Sequence, residues 1–196
     1  TTNKNAIVVG DYRMIKIDKI DNRVVEFDLQ EKIQNFIKKT VTDCIIFSDF
    51  RHGIFTKENI PKYIQSIDKN VFKVADSQVA SRWGNILDFK KFDLITPNEK
   101  EARFSLGDQE TGVRPLTSIL IRNSLCKNLI LKLGSRGSMA ADQKNFNEEI
   151  HTLDSFTHNA IDPVGSGDAL LAYSTLSLLH KDCIGTASIV GSIAAA

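Results

Sequence analysis

Cysteine is scarce: Cys44, Cys126 and Cys183 are the only three, far apart and with no C-x-x-C pair among them. That excludes a disulfide-stapled scaffold and offers no metal-ligand spacing, so free thiols in a reducing cytoplasm are the simplest account. Neither sign of charge dominates. With 25 Lys+Arg against 24 Asp+Glu the net charge is +1, which gives no reason to expect nucleic acid or a membrane surface as partner. No run approaches the roughly 18 apolar residues of a transmembrane helix, and no signal peptide is visible. There is no Gly-Lys-Ser/Thr phosphate loop and no G-x-G-x-x-G fingerprint. Internal repeats and low-complexity tracts are also missing. The chain opens without Met and ends at Ala194, Ala195 and Ala196 with no helix-stop signal, so both ends look cut.

What is present is ordinary for a globular protein, 196 residues with 42% hydrophobic and 25% charged, enough for one domain with a substantial core. Short apolar or β-rich runs at 6–9, 14–18, 24–27, 44–47, 71–75, 93–96, 128–133, 138–141 and about 150–153 read as strands. Leu29, Ile33, Phe36, Ile37 and Thr40 fall at helical spacing and predict an amphipathic helix over 29–41. Further helices are expected at 57–67 (with Pro61 awkwardly near its start), from Asn98 onward, at 115–126, and at 182–196, the last rich in small residues apt for close packing. Strand–helix alternation of this kind predicts an α/β fold, a mostly parallel sheet with helices on both faces. In such sheets ligands bind at the carboxyl ends of the strands.

The most pointed stretch is Asp162-Pro163-Val164-Gly165-Ser166-Gly167-Asp168, followed by eleven uncharged residues, 169–179. A helix apolar or small on every side is expected to be buried. Glycines let a ligand approach the backbone, and the start of a helix favours an anion. The stretch therefore reads as a phosphate cradle with a carboxylate beside it, or, more simply, as a turn with Asp168 capping a helix.

Other candidates lie at strand ends. Asp49, in Ser48-Asp49-Phe50-Arg51-His52-Gly53, is either a pocket residue or a turn aspartate. Asp76 closes the strand at 71–75. Pro97-Asn98-Glu99-Lys100-Glu101 puts Asn98 and Glu101 on one face of a helix start, an arrangement that also makes a capping box. Lys132 precedes Gly134-Ser135-Arg136-Gly137, which suits a tight hairpin, and the lysine can meet a phosphate as a point charge. Trp83 reads as core or pocket wall. His52, His151 and His158 read as solvated surface.

The string Asp162-x-x-Gly165-Ser166-Gly167-Asp168 resembles the D-T-x-G-A-G-D signature of the ribokinase-like (PfkB) carbohydrate kinases, with Pro163 and Ser166 in place of Thr and Ala. Thr96-Pro97-Asn98-x-x-Glu101 and Gly134-x-x-Gly137 are similar to further family motifs, in the family's chain order. Ser48-Asp49 matches in the same way. Within the family the chain looks most like the heptose-phosphate kinase domain and its sugar kinase–nucleotidyltransferase group. Thr1-Thr2-x-Lys4 fits that group, whereas Asn5 and Ala6 stand where a second basic residue is usual.

The resemblance implies a three-layer α/β/α kinase domain over 1–196, lacking its first segment and its C-terminal end. It implies ATP and Mg²⁺ as cofactors. Asp168 would be the base, with Gly165, Ser166 and Gly167 holding the transferring phosphoryl group. Lys132, Gly134, Gly137 and Asp162 would lie at the nucleotide, and Asn98 and Glu101 would reach Mg²⁺ through water. Lys4, Asp49 and Asp76 would face a sugar or sugar phosphate. A cytoplasmic enzyme, a homodimer and a fused nucleotidyltransferase domain are compatible with it. A kinase for another sugar or a nucleoside, and a catalytically silent binding or dimerisation module, remain open as alternatives.

Overall fold

The computed structural model describes residues 3–10, 12–78, 86–157 and 164–196. The first segment forms an antiparallel pair, β1 (Asn3–Val9) and β2 (Tyr12–Lys19), exposed on both faces. Helix α1 (Phe27–Lys39) follows. The central sheet has six strands: β3 (Cys44–Asp49), β4 (Phe72–Ser77), β5 (Leu94–Ile95), β6 (Asn128–Lys132), β7 (Ser138–Asp142) and β8 (His151–Leu153). They lie side by side in chain order; β3 to β6 run parallel, and β7 and β8 return antiparallel. Helices α2 (Ile60–Gln65), α3 (Glu99–Leu106) and α4 (Val113–Ser124) fall between the parallel strands in sequence, and α5 (Ser166–Leu179) and α6 (Ile184–Ala194) come after the hairpin strands.

Successive residues of a strand face opposite sides of a sheet, and this period sorts the core into two layers. Ala75, Ile95, Leu129, Leu131 and Ala141 join Ile60 and Tyr63 of α2 and Leu116 and Leu120 of α4 on one face. Val74, Leu94, Ile130 and Ala140, each one position away, meet Leu170 and Leu171 of α5 and Ile184 of α6 on the other. The product is the expected three-layer α/β/α arrangement. Phe47, Phe55, Phe89 and Phe92 fill the first layer with stacked and edge-on ring contacts at 5.1–6.0 Å. On the other side the small residues of α6 allow a close approach, and the Ser174 hydroxyl donates to the Ala187 carbonyl at 3.0 Å.

Three expectations need correcting. Residues 24–27 are not a strand: the Val25 amide donates to Gly53 O at 3.2 Å and Phe27 already begins α1, so a β-rich run that meets a loop in place of a neighbouring strand stays irregular. The helix expected over 57–67 is only Ile60–Gln65, because Asn59 is engaged in a turn, accepting from the Thr56 amide and donating to Ile54 O. Pro61 then lies in the first turn, where its missing N–H does no harm. Finally, α5 is not buried all round. Leu170, Leu171, Ser174 and Thr175 are covered, while Tyr173 and Leu176 stand 52% and 60% exposed, since the sheet and α6 cover only one side of it.

Candidate active site

The apolar stripe under α5 turns polar at the carboxyl ends of the strands. Two residues beyond Val74, Leu94 and Ile130, and therefore on the same face, stand Asp76, Thr96 and Lys132. Thr96 Oγ1 donates to Asp76 Oδ1 at 3.2 Å, and Lys132 Nζ donates to that same oxygen at 3.1 Å. Asp76 is only 6% exposed. Burying charges is tolerable here because the pair is matched and the hydroxyl adds a further bond. The Lys132 amide donates to Pro97 O at 2.9 Å, fixing the strand end beside the start of α3.

Above this cluster α5 begins. Gly165 is its N-cap, with φ of 88°, a left-handed turn that suits glycine. Ser166 is thus the first helical residue, and Asp168 lies in the first turn, three residues past the cap, and is not itself the cap. Its carboxylate is exposed, and among the described residues it has no ion-pair partner. A β-carbon placed on Gly167 would stand 3.5 Å from Lys132 Nζ. The ammonium therefore lies at the head of the helix whose first turn carries Asp168, a meeting of two separate sequence motifs. An anion set there would meet a charge, helix N–H groups and the dipole together. Asp162 lies outside the described residues, as do Trp83 and His158.

At the start of α3 the capping box is complete. The Glu101 amide donates to Asn98 Oδ1 at 2.8 Å, and the Asn98 amide donates to Glu101 Oε2 at 2.7 Å. Asn98, Lys132 and Gly134 border one open cleft of about 710 Å³, walled on the far side by Arg103 and Phe104 of α3. The loop from Gly134 to Gly137 closes the near side. Leu133 N–H donates to Gly137 O and Gly137 N–H to Gly134 O, at 2.8 and 2.9 Å. Gly137 has φ of 81°, and a β-carbon there would fall 1.9 Å from Leu153 O, so no other residue fits. Arg136 pairs with Glu99 across the cleft mouth. The hydrogen bond from Arg103, with Arg136 beside it, holds the Glu99 carboxyl below the usual range.

Hard oxygen donors near a phosphate site suit Mg²⁺. Asn98 and Glu101 thus fit a water-mediated contact and not direct ligation, which would break the cap. Among the described residues no three His, Cys, Asp or Glu side chains gather as a metal-ligand cluster.

The remaining predicted residues assemble at the end of β3. Asp49 is 2% exposed, and its carboxylate accepts from Arg51 N and Nη1, both at 2.8 Å, and from Ser77 Oγ at 3.1 Å. Lys4 reaches across from β1 and sets its ammonium 5.7 Å from the Phe50 ring centre. Asp49 and Asp76 are therefore both engaged within the chain, one with Arg51 and the other with Lys132. Sequence reasoning passed over Arg51 and Thr96. Arg51 has φ of 61°, a local feature that a residue two past a turn aspartate hints at. Thr96 had a signal in ending its strand and opening the Thr96-Pro97-Asn98 motif, but no role was read from it.

The sheet, its helical layers and the placing of the polar groups at the strand ends define the ribokinase-like sugar-kinase fold. Phosphofructokinase-2 from Escherichia coli, solved in complex with potassium, superposes with a TM-score of 0.75 at 18% identity, over 94% of this chain and 58% of that one. Ribokinase from Thermotoga maritima gives 0.69 at 21%, over 100% and 62%. Residues 57–196 match the pfkB family carbohydrate kinase domain, and the chain belongs to that family. Relatives include the bifunctional protein HldE of a Nitratiruptor species, 26% identical over all of this chain and 41% of the relative. That of Helicobacter hepaticus is 22% identical, over 100% and 40%. The chain thus spans about two-fifths of the length of these curated relatives.

Proposed function

We propose that the protein is an ATP-dependent sugar kinase, with a heptose phosphate as the favoured acceptor. The observation that carries this is the convergence at the head of α5: Lys132 Nζ within 3.5 Å of the Gly167 β-position, with Asp168 in the same helical turn. Asp168 takes the proton of a sugar hydroxyl. The freed oxygen attacks the γ-phosphorus, the bond to the β–γ bridging oxygen breaks, and ADP leaves. Charge that spreads over the phosphoryl oxygens is met by the N–H groups of the Gly165–Asp168 turn and by Lys132. In phosphoryl transfer such positioning and electrostatics supply most of the acceleration.

The nucleotide is placed along the cleft that Asn98, Lys132 and Gly134 border, with Gly137 keeping the loop in shape. Mg²⁺ would come with the phosphates, be reached through water from Asn98 and Glu101, and neutralise phosphate charge. The sugar side is assigned to Lys4 and to the Asp49–Arg51 pair. A cytoplasmic location suits ATP as substrate, and no helix among the described residues is long and apolar enough to cross a membrane. A homodimer is supported by exposed Ile7, Val9, Tyr12 and Ile15 on the two-stranded sheet. A nucleotidyltransferase domain in the same protein is proposed on the sequence resemblance, and the relatives' name, bifunctional, agrees with it.

The test is ATP consumption with Mg²⁺ against a panel of sugars and sugar phosphates. Turnover with a heptose phosphate well above the other sugars is expected. Preference for another sugar would discard the heptose assignment. Nucleotide binding with no turnover on any acceptor would favour a silent binding module.

A further inference from the structure

We propose that Asp76 is a positioning residue for phosphoryl transfer: it acts through Lys132 and does not touch the sugar. The inference rests on the kinase reading above. Asp76 sits at the end of β4 and Lys132 at the end of β6, with β5 between them. The intervening strand supplies Thr96, whose hydroxyl shares Asp76 Oδ1 with the ammonium. One oxygen thus ties three adjacent strand ends together on the face that α5 covers.

Lysine is a compact charge on a flexible stem, and without a partner its ammonium samples several positions. Here both ends are fixed. The backbone is pinned by Pro97 O at 2.9 Å, and the Nζ is held at 3.1 Å from Asp76. The side chain is 17% exposed, that of Asp76 8%, so water competes little for either. An ammonium carries three donors. One is spent on Asp76, which turns the others toward the head of α5, beside Gly167.

The carboxylate works against nucleotide binding in one respect, since its charge repels phosphate. Its contribution must therefore lie in orientation, and oriented donors act most strongly where charge develops during transfer. Asp76 is only 6% exposed, and the oxygen that ties the strand ends together is already shared by Thr96 and Lys132.

The experiment is a double-mutant cycle on kcat and on both KM values, using the parent, Asp76→Ala, Lys132→Ala and the double variant, with Asp76→Asn beside them. Asp76→Ala should lower kcat about 10–100-fold, near the lower end of what losing an oriented donor removes, while sugar KM stays within threefold. In the Lys132→Ala background the same change should cost less than threefold, because residues that act as a unit are non-additive. Asp76→Asn keeps an acceptor and should recover at least tenfold of the loss, while Asp76→Ser, which removes the carboxylate, takes alanine's place in the cycle if the alanine variant fails to fold. Full additivity, or a rise in sugar KM as the main effect, would overturn the proposal while leaving the kinase reading intact. A parent enzyme without turnover would remove both.

Discussion

Gly134 and Gly137 lie three residues apart in one loop, both with positive φ, yet substitution should affect them very differently. At Gly137, φ of 81° with ψ of −131° is a conformation for which a side chain costs about 1–3 kcal/mol. The added β-carbon would also fall 1.9 Å from Leu153 O and 2.7 Å from Asp154 C. Those are backbone atoms and cannot rotate aside, so the segment after β8 must shift, for roughly another 1–3 kcal/mol as in other overpacked sites. Gly137→Ala should therefore destabilise by about 2–6 kcal/mol. At 2–4 °C per kcal/mol for a chain of this size, that is a fall in Tm of roughly 5–20 °C. Gly134 has φ of 62° and nothing within 4 Å of its β-position, so Gly134→Ala should lose only the left-handed strain, about 1–2 kcal/mol. Thermal unfolding followed by circular dichroism measures both. Equal losses at the two sites, or a Gly137→Ala variant melting within 2 °C of the parent, would refute the loop geometry (a threshold of about 1 kcal/mol).

Two further outcomes are expected. Asp49→Ala leaves the Arg51 guanidinium without its carboxylate, and Arg51 Nε is already buried with no partner among the described residues. Because the Arg51 side chain keeps 15% exposure, the loss should be about 2–4 kcal/mol, somewhat below that of a fully buried broken pair. Urea unfolding reads it, and a loss under about 1 kcal/mol would demote the pair to a surface contact. The cysteines should separate by alkylation rate at pH 8. Burial pushes the Cys126 thiol up to about 12 and that of Cys44 up to about 11, while the hydrogen bond from Thr186 lowers that of exposed Cys183. Only thiolate reacts. Raising the pH should therefore recruit Cys183 first, and Cys126 should stay unmodified while the protein is folded. Mass spectrometry after iodoacetamide treatment checks the order, and early labelling of Cys126 would contradict the packing described.

The parts that were legible in the sequence are those written locally. The Asn98–Glu101 capping box needs only residues three apart. The facing of Leu129 and Ile130 toward opposite layers follows from strand period, and Gly137 announces its turn by type. Residues 24–27 misled because a β-rich run needs an adjacent strand, and Val25 finds the carbonyl of Gly53 instead. The bond between Asp76 and Lys132 joins residues 56 positions apart, so only the fold brings it about. Asp49 was readable as a pocket or turn aspartate from its position at a strand end, whereas its engagement with the Arg51 side chain and Ser77 was not. The exposed side of α5 at Tyr173 and Leu176 shows that apolar composition fixes what can be buried, not what is.

The most direct test of the central claim compares Asp168→Asn with the parent for turnover and for nucleotide affinity. Asparagine keeps the size of the side chain and removes the proton acceptor. Turnover should fall at least about 10²-fold, as when a general base is lost, with nucleotide affinity within roughly threefold of the parent, under about 0.7 kcal/mol. A fall in turnover of less than about threefold would contradict the assignment of Asp168 as the base.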